Sequence, residues 1–359
     1  MYDGAVKRAA RLLTRLLAAV ALCAAPAGAG TDGLEAFRDL AARVGPAPTE
    51  SAVSALYALV DEEIVESLRG GGLFASPDFI QERLEGFNAA WGGARFRVAK
   101  PAAEHRGAVT VALYGLSGWV EGPGSVRIFT GTGAAATLVR TITHPGTPEV
   151  FPWPAARGGV PQLGLAWVGS AGPGGHYPLR LEVWRLGGAG PTRVWSTADA
   201  YPEGLSVVDW RLGPGEMVLR YELRYPGWKP GCDGQAEQED TIRHVPGSDT
   251  VASVRRHVFN AWHRDLSREV TRFFAAMESG DRRALTELVP DAALRARLPG
   301  GLVPEPLCDV ASPDSPSTVV VAATDERTAD RTNARSPWSL WWSRQPRGWR
   351  LAGAAPVLQ

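Results

Sequence analysis

Cysteine is scarce in this chain of 359 residues, occurring only at Cys23, Cys232 and Cys308. Lysine is as rare, at Lys7, Lys100 and Lys229, although basic and acidic residues balance at 38 each. So few thiols, none closely spaced, exclude the paired-cysteine motifs of zinc ribbons and dithiol redox centres. A neutral charge balance with no lysine clusters removes the electrostatic case for nucleic acid or an anionic membrane. Long apolar runs are also missing. The stretch from Leu16 to Ala25 holds ten residues, and a spanning helix needs about 20. Alanine, glycine and proline abound and arginine replaces lysine, which reflects a GC-rich bacterial coding bias and not function.

What the chain does have begins at its N-terminus. Lys7, Arg8, Arg11 and Arg15 precede the apolar run, and Ala27-Gly28-Ala29 follows it. This is a secretory signal with cleavage expected after Ala29. Lipidation at Cys23 is the competing outcome, disfavoured because Leu22 is large where a lipoprotein signal needs a small residue. Membrane attachment is expected only if the segment is retained or Cys23 is lipidated. Loss of residues 1–29 leaves 34 basic residues against 37 acidic ones, a net charge of −3. The expected location is extracellular or in the cell envelope.

The remainder divides by texture into an α+β multidomain chain: a helical region over 30–93, an antiparallel all-β domain over 94–249 and an α+β domain over 250–359. In the first, Val53, Leu56, Tyr57, Val60, Ile64 and Leu68 form an apolar helical stripe, opened by Thr49 or Ser51 and closed by Gly70-Gly71-Gly72. A second stripe, Ile80, Leu84, Phe87 and Trp91, follows Ser76-Pro77-Asp78. These stripes must pack on each other or on a neighbouring sheet. The middle region alternates β-rich runs with Gly and Pro, predicting a sandwich or partial propeller. "WRLGG" at 184–188 returns as "WRLGP" at 210–214, too little to define a repeat.

Two stretches resemble known families. "GTPEVFPWPAARGGVPQLGLAWVG" resembles a blade of integrin-type (FG-GAP) propellers through its turn, Pro161, Leu163 and Leu165. Those blades carry acidic calcium loops; here the turn is Ala155-Ala156-Arg157-Gly158-Gly159, so the resemblance implies no calcium. The C-terminal region resembles the NTF2-like α+β cone. The likeness rests on the order long helix, "MESGDRRALTELVPD", short helices and closing sheet, with three strands visible. The long helix is expected to run through "SVRRHVFNAWHRDLSREVTRFFAAMESGD", its stripe being Phe259, Trp262, Leu266, Val270, Phe273 and Met277. In the final hairpin, alternation sends Trp338, Leu340 and Trp342 one way and Trp341 the other, and burial on both faces is expected.

Candidate chemistry is sparse. Ser117 and Ser170 lack the Gly-x-Ser-x-Gly setting of a nucleophile elbow. The histidines at 105, 144, 176, 244, 257 and 263 lack metal-ligand spacing, so no metal and no cofactor are expected. Asp233, Glu237, Glu239 and Asp240 read as a solvated acidic loop, because Gln238 stands where a calcium loop needs Gly. Arg264, Arg268 and Arg272 form an exposed helical row neutralised by Asp265 and Glu269. Trp167, Trp184, Trp195, Trp210, Trp338, Trp342 and Trp349 sit in strand patterns and read as core. Once the signal leaves, Cys232 and Cys308 are the remaining thiols, and an oxidising compartment pairs them. The expected function is a non-catalytic exported protein binding through a C-terminal pocket or a domain interface. A small molecule, a glycan or an envelope protein is the expected partner. The competing expectation is a hydrolase or isomerase using His263, placed where NTF2-like enzymes hold acid–base groups.

Overall fold

Three helices come first among the described residues, the second and third starting at caps the sequence supplies. The structure, a computed structural model, describes residues 32–44, 48–99, 109–116, 123–187, 190–232, 234–246, 248, 251–305, 308, 316–326 and 336–357. The signal segment with Cys23 and Ala29, and also His105, Ser117 and Asp233, lie outside the described residues. Helix α1 spans Gly33–Val44, α2 Glu50–Gly70 and α3 Pro77–Trp91. Thr49 Oγ1 accepts from Ala52 N (3.3 Å) and Ser76 Oγ from Phe79 N (3.3 Å), each satisfying an end-of-helix donor. The apolar stripes of the three helices meet one another. Phe37 touches Phe87 edge-on at 5.1 Å and Phe96 at 5.9 Å. Asn88 holds the chain beyond α3 by accepting from Phe96 N (2.7 Å) and donating to Phe96 O (3.0 Å). These helices form one compact unit, and nearly everything after residue 97 belongs to a second.

The second unit contains three antiparallel sheets. The first has the order β1 (Arg97–Ala99), β2 (Val109–Tyr114), β3 (Pro123–Thr130), β4 (Thr137–Pro145). The second has eight strands: β5 (Thr147–Pro152), β6 (Gln162–Val168), β7 (Tyr177–Gly187), β8 (Gly190–Ser196), β9 (Ser206–Gly213), β10 (Glu216–Glu222), β11 (Glu237–His244) and β12 (Val251–Phe259). A short helix α4 (Thr197–Ala200) follows β8. Val111, Leu113, Val126, Ile128 and Ile142 of the first sheet share a core with Leu163, Leu165, Trp167 and Trp184. Leu181, Val183, Val207, Met217 and Leu219 point into a separate core. The chain steps from β4 to β5 at Gly146, whose φ is 101°. Close approach there also requires Gly124, where a Cβ would lie 2.3 Å from Gly146 O.

Strand β12 corrects the sequence reading. Residues 253–259 were expected in the long helix, but 251–259 pair antiparallel with β11, Glu237 opposite Phe259 and His244 opposite Val251. Strand pairing with β11 overrides a local pattern that fits either period. The eight-stranded sheet therefore continues to Phe259, past the boundary expected at 249. The blade-like stretch forms β5 and β6, adjacent strands of this sheet.

The chain then turns at Asn260, in the left-handed conformation (φ 50°), into helix α5 (Ala261–Ser279). Helices α6 (Arg282–Leu288) and α7 (Ala292–Arg297) follow, capped by Asp281 and Asp291. A four-stranded sheet ends the fold: β13 (Leu302–Pro304), β14 (Thr318–Asp325), β15 (Ser336–Gln345), β16 (Gly348–Pro356). The short edge strand β13 is one more than the sequence shows. Trp262, Leu266 and Phe273 of α5 pack with Val319, Val321, Leu340, Trp342, Trp349 and Leu351 of the sheet. Burying each large side chain here contributes roughly 1.5–3 kcal/mol. Among the described residues no helix is long and apolar enough to cross a membrane.

Candidate functional site

Between β10 and β11 the chain leaves the sheet as a loop, residues 223–236. Gln235 shapes it by accepting from Lys229 N (2.8 Å) and donating to Cys232 O (3.1 Å). The loop lies against α5 at Gly227, where φ is 87° and a Cβ would come within 3.0 Å of Ser267 Cβ. Asn260 Nδ2 donates to Gln235 O at 3.4 Å. Cys232 and Cys308, the pair inferred from the sequence, are at bonding distance with Cα atoms 5.3 Å apart. That bond joins the loop to the connection between β13 and β14.

His263 belongs to this seam. Trp262 takes the side of α5 that packs on the sheet, so the next side chain turns toward the loop. Nδ1 of His263 lies 2.8 Å from Tyr225 Oη and 3.4 Å from Ser267 Oγ. Tyr225 Oη already accepts from Ala236 N at 3.1 Å. His263 is buried, with 4% of its surface exposed. Asp265, its neighbour in sequence, faces Arg268 at 3.7 Å instead. This arrangement positions a helix and a loop against each other.

Two buried carboxylates organise the eight-stranded sheet. Asp240, fully buried, accepts from Arg256 Nε (2.9 Å) and Nη2 (3.0 Å), Tyr201 Oη (3.0 Å), Tyr221 Oη (3.0 Å) and Gln238 Nε2 (3.0 Å). Burial pushes its pKa up, but these hydrogen bonds, Arg256 first, outweigh it and leave it lowered. Burial, then the Asp240 charge, raises both tyrosine pKa values. Three of the four acids expected in a solvated loop, Glu237, Glu239 and Asp240, stand instead on β11, whose alternation turns Asp240 inward. Glu182, on β7, accepts from Trp184 Nε1 (2.8 Å) and Arg180 Nη2 (2.8 Å), with His144 Nε2 at 3.3 Å. Burial raises its pKa, but hydrogen bonds from His144, Arg180 and Trp184 hold the carboxyl at about 2.

The other expected residues are dispersed. His176 Nδ1 lies 3.2 Å from Glu222 Oε1, His244 Nε2 lies 3.1 Å from Ser248 O, and His257 meets Phe259 edge-on. Among the described residues no three metal-ligating side chains gather. Ser170 is exposed in the loop after β6. Arg272 pairs with Glu287 and Glu269, and Arg268 with Asp265 and Glu269. A shallow depression of about 330 Å³ between α5 and α6 is floored by Ala275, Ala276 and Ala284. It lies toward the opposite end of α5 from His263.

The tryptophans separate the sheet faces. Trp167, Trp184, Trp342 and Trp349 are buried, and Trp195, Trp210 and Trp338 are half-buried. Trp341 is 36% exposed, so the expectation that both faces of the last hairpin are buried holds for only one. Opposite it stand Val320 on β14 and Gly353 on β16. The benzo ring of its indole lies over Gly353, where a Cβ would come within 3.3 Å of Cε3. No family model, curated protein or solved structure matches the chain.

Proposed function

We propose that this is an exported, non-catalytic protein of the cell envelope or extracellular space. It is built from a helical region, an antiparallel β-domain and an NTF2-like C-terminal domain, and it binds a partner through that last domain. The order of one long helix, two short helices and an antiparallel sheet supports the NTF2-like reading. The disulfide-distance pair supports export. The observation that carries binding over catalysis is the opposite placement of two residues of the C-terminal region. His263 is buried and hydrogen-bonded to Tyr225, while Trp341 is offered to solvent on a sheet face.

The test uses full-length protein expressed in cells. The exported fraction should begin at Gly30 by intact mass and carry oxidised Cys232 and Cys308. Trp341→Ala should reduce retention on isolated cell envelopes at unchanged melting temperature, and His263→Gln should not. Retention indifferent to Trp341, or a hydrolytic or isomerase activity abolished by His263→Gln, would overturn the reading in favour of the enzyme.

A further inference from the structure

The outward face of the C-terminal sheet can be read as a grid from its register. Around Trp341 the rows are Thr318–Ser343–Arg350, Val320–Trp341–Gly353 and Ala322–Ser339–Ala355. Arg350 is the one charged member. It is buried, donates to the carbonyls of Trp349 (2.7 Å) and Arg347 (3.0 Å), and reaches Glu287 at 3.4 Å. The other members of these rows are small or apolar and uncharged, with three hydroxyl side chains beside one aromatic ring, and in the next row Thr324 donates to the Glu305 carboxylate. Gly353 supplies a bed without a Cβ, so the ring lies on the sheet and keeps part of its surface toward solvent.

Few ligand classes use a single open tryptophan. Single-stranded nucleic acid stacks on aromatic rings, but it also needs cations along its phosphates, and among the described residues the one cation in these three rows is already paired. A quaternary ammonium group needs a cage of rings, and among the described residues no second ring accompanies Trp341. An acidic glycan lacks a counter-charge for the same reason as nucleic acid. A neutral sugar ring matches what remains: one apolar C–H face to lie on the indole, and hydroxyls at its edge to meet Thr318, Ser339 and Ser343. Among the described residues these rows lie on flat sheet, which suits an internal unit of an extended chain better than a terminal sugar in a pocket.

We propose that the Trp341 face is a stacking subsite for a neutral hexose or N-acetylhexosamine unit of an extended, uncharged polysaccharide. This rests on the binding reading above and names its ligand class. The platform is Trp341 over Gly353; Ser339, Ser343 and Thr318 are the polar fringe.

The experiment titrates the full mature protein with cellohexaose and chitohexaose, following tryptophan fluorescence and calorimetry, with hexagalacturonate as the acidic comparison. At least one neutral hexamer should bind, and the acidic one should bind more weakly. Trp341→Ala should weaken binding about tenfold or more, the scale on which removal of a stacking ring acts for bases. Trp341→Phe, which keeps a ring, should retain most of the affinity, and Trp228→Ala, in the β10–β11 loop, should leave it unchanged. Melting curves of each variant separate lost binding from lost folding. Binding unaffected by Trp341→Ala, or no neutral hexamer bound at millimolar concentration, would overturn the proposal. So would a Trp341→Ala variant that turns a dimer into a monomer with glycan binding unchanged. If glycans fail while envelope retention still depends on Trp341, the ligand class falls and the binding reading stands.

Discussion

Tyr225 places its hydroxyl 2.8 Å from Nδ1 of His263, fastening a loop of the eight-stranded sheet to the first turn of α5. The contact is buried on the histidine side, so water does not readily replace the hydrogen bond when one partner is removed. Tyr225→Phe should cost about 1 kcal/mol, the usual net value of a hydrogen bond. His263→Ala should cost more, about 2–3 kcal/mol, because it also removes packing beside Ser267. Urea denaturation monitored by fluorescence measures both. An unchanged midpoint in Tyr225→Phe would show that the contact does not stabilise the seam.

The same seam is covalently closed by Cys232 and Cys308, 76 residues apart in sequence. On the chain-entropy model a loop of that length stabilises the fold by about 4.5 kcal/mol. Denaturation with and without reductant, and of Cys308→Ser, should show a loss of that order. Peptide mapping without reductant should recover the 232–308 crosslink. Free thiols at both positions in oxidised native protein would remove the clamp.

Glu182 makes stability depend on acid. Its folded-state value of about 2 lies below the ordinary 4.5. Its contribution is therefore complete above about 4.5 and drains away as pH falls toward 2. It amounts to at most about 3 kcal/mol. Glu182→Gln should flatten the stability profile across that window and lower stability at neutral pH. A wild-type profile already flat between pH 5 and 2.5 would contradict the depressed value.

Asp240 and Arg256 should not be equivalent to mutation, although they pair with each other. Asp240→Ala takes the acceptor from two tyrosine hydroxyls and from the Arg256 guanidinium, and should cost about 3 kcal/mol or more. Arg256→Ala leaves Asp240 three other donors, and the arginine side chain is itself 60% exposed. Its cost should be smaller, about 1 kcal/mol. Thermal melts of the two variants check the order, and a larger loss for Arg256→Ala would reverse the assignment of the carboxylate as the hub.

Much of this was legible from local signals. Thr49, Ser76, Asp281 and Asp291 each cap the helix they precede. The alternation in "EMVLRYE" and "SPWSLWWSRQ" identifies β10 and β15. The failures share a cause: they depend on pairings far apart in sequence. Strand β12 exists because β11 lies beside it. Asp240 is inward because Tyr201, Tyr221 and Arg256 converge on it from elements before and after it. A run of four acids in eight residues shows neither fact. Glu182 did carry a faint signal, a lone acid within "LRLEVW", but nothing local names His144 as a partner. Tyr225 had none, since its role depends on a helix 38 residues later.

The scarcity of thiols has a consequence for how the protein matures. Residues 30–359 contain two cysteines, so only one intramolecular pairing is open to them. With the segment carrying Cys23 removed as proposed, oxidation cannot lodge the chain in a mispaired isomer, and no shuffling between alternatives is required. The partners enclose β11, β12, α5, α6, α7 and β13, so an early bond would loop out all of these before they pack. Its one covalent error is therefore between molecules. Yield in an oxidising space should then fall with protein concentration, whether or not a disulfide isomerase is present.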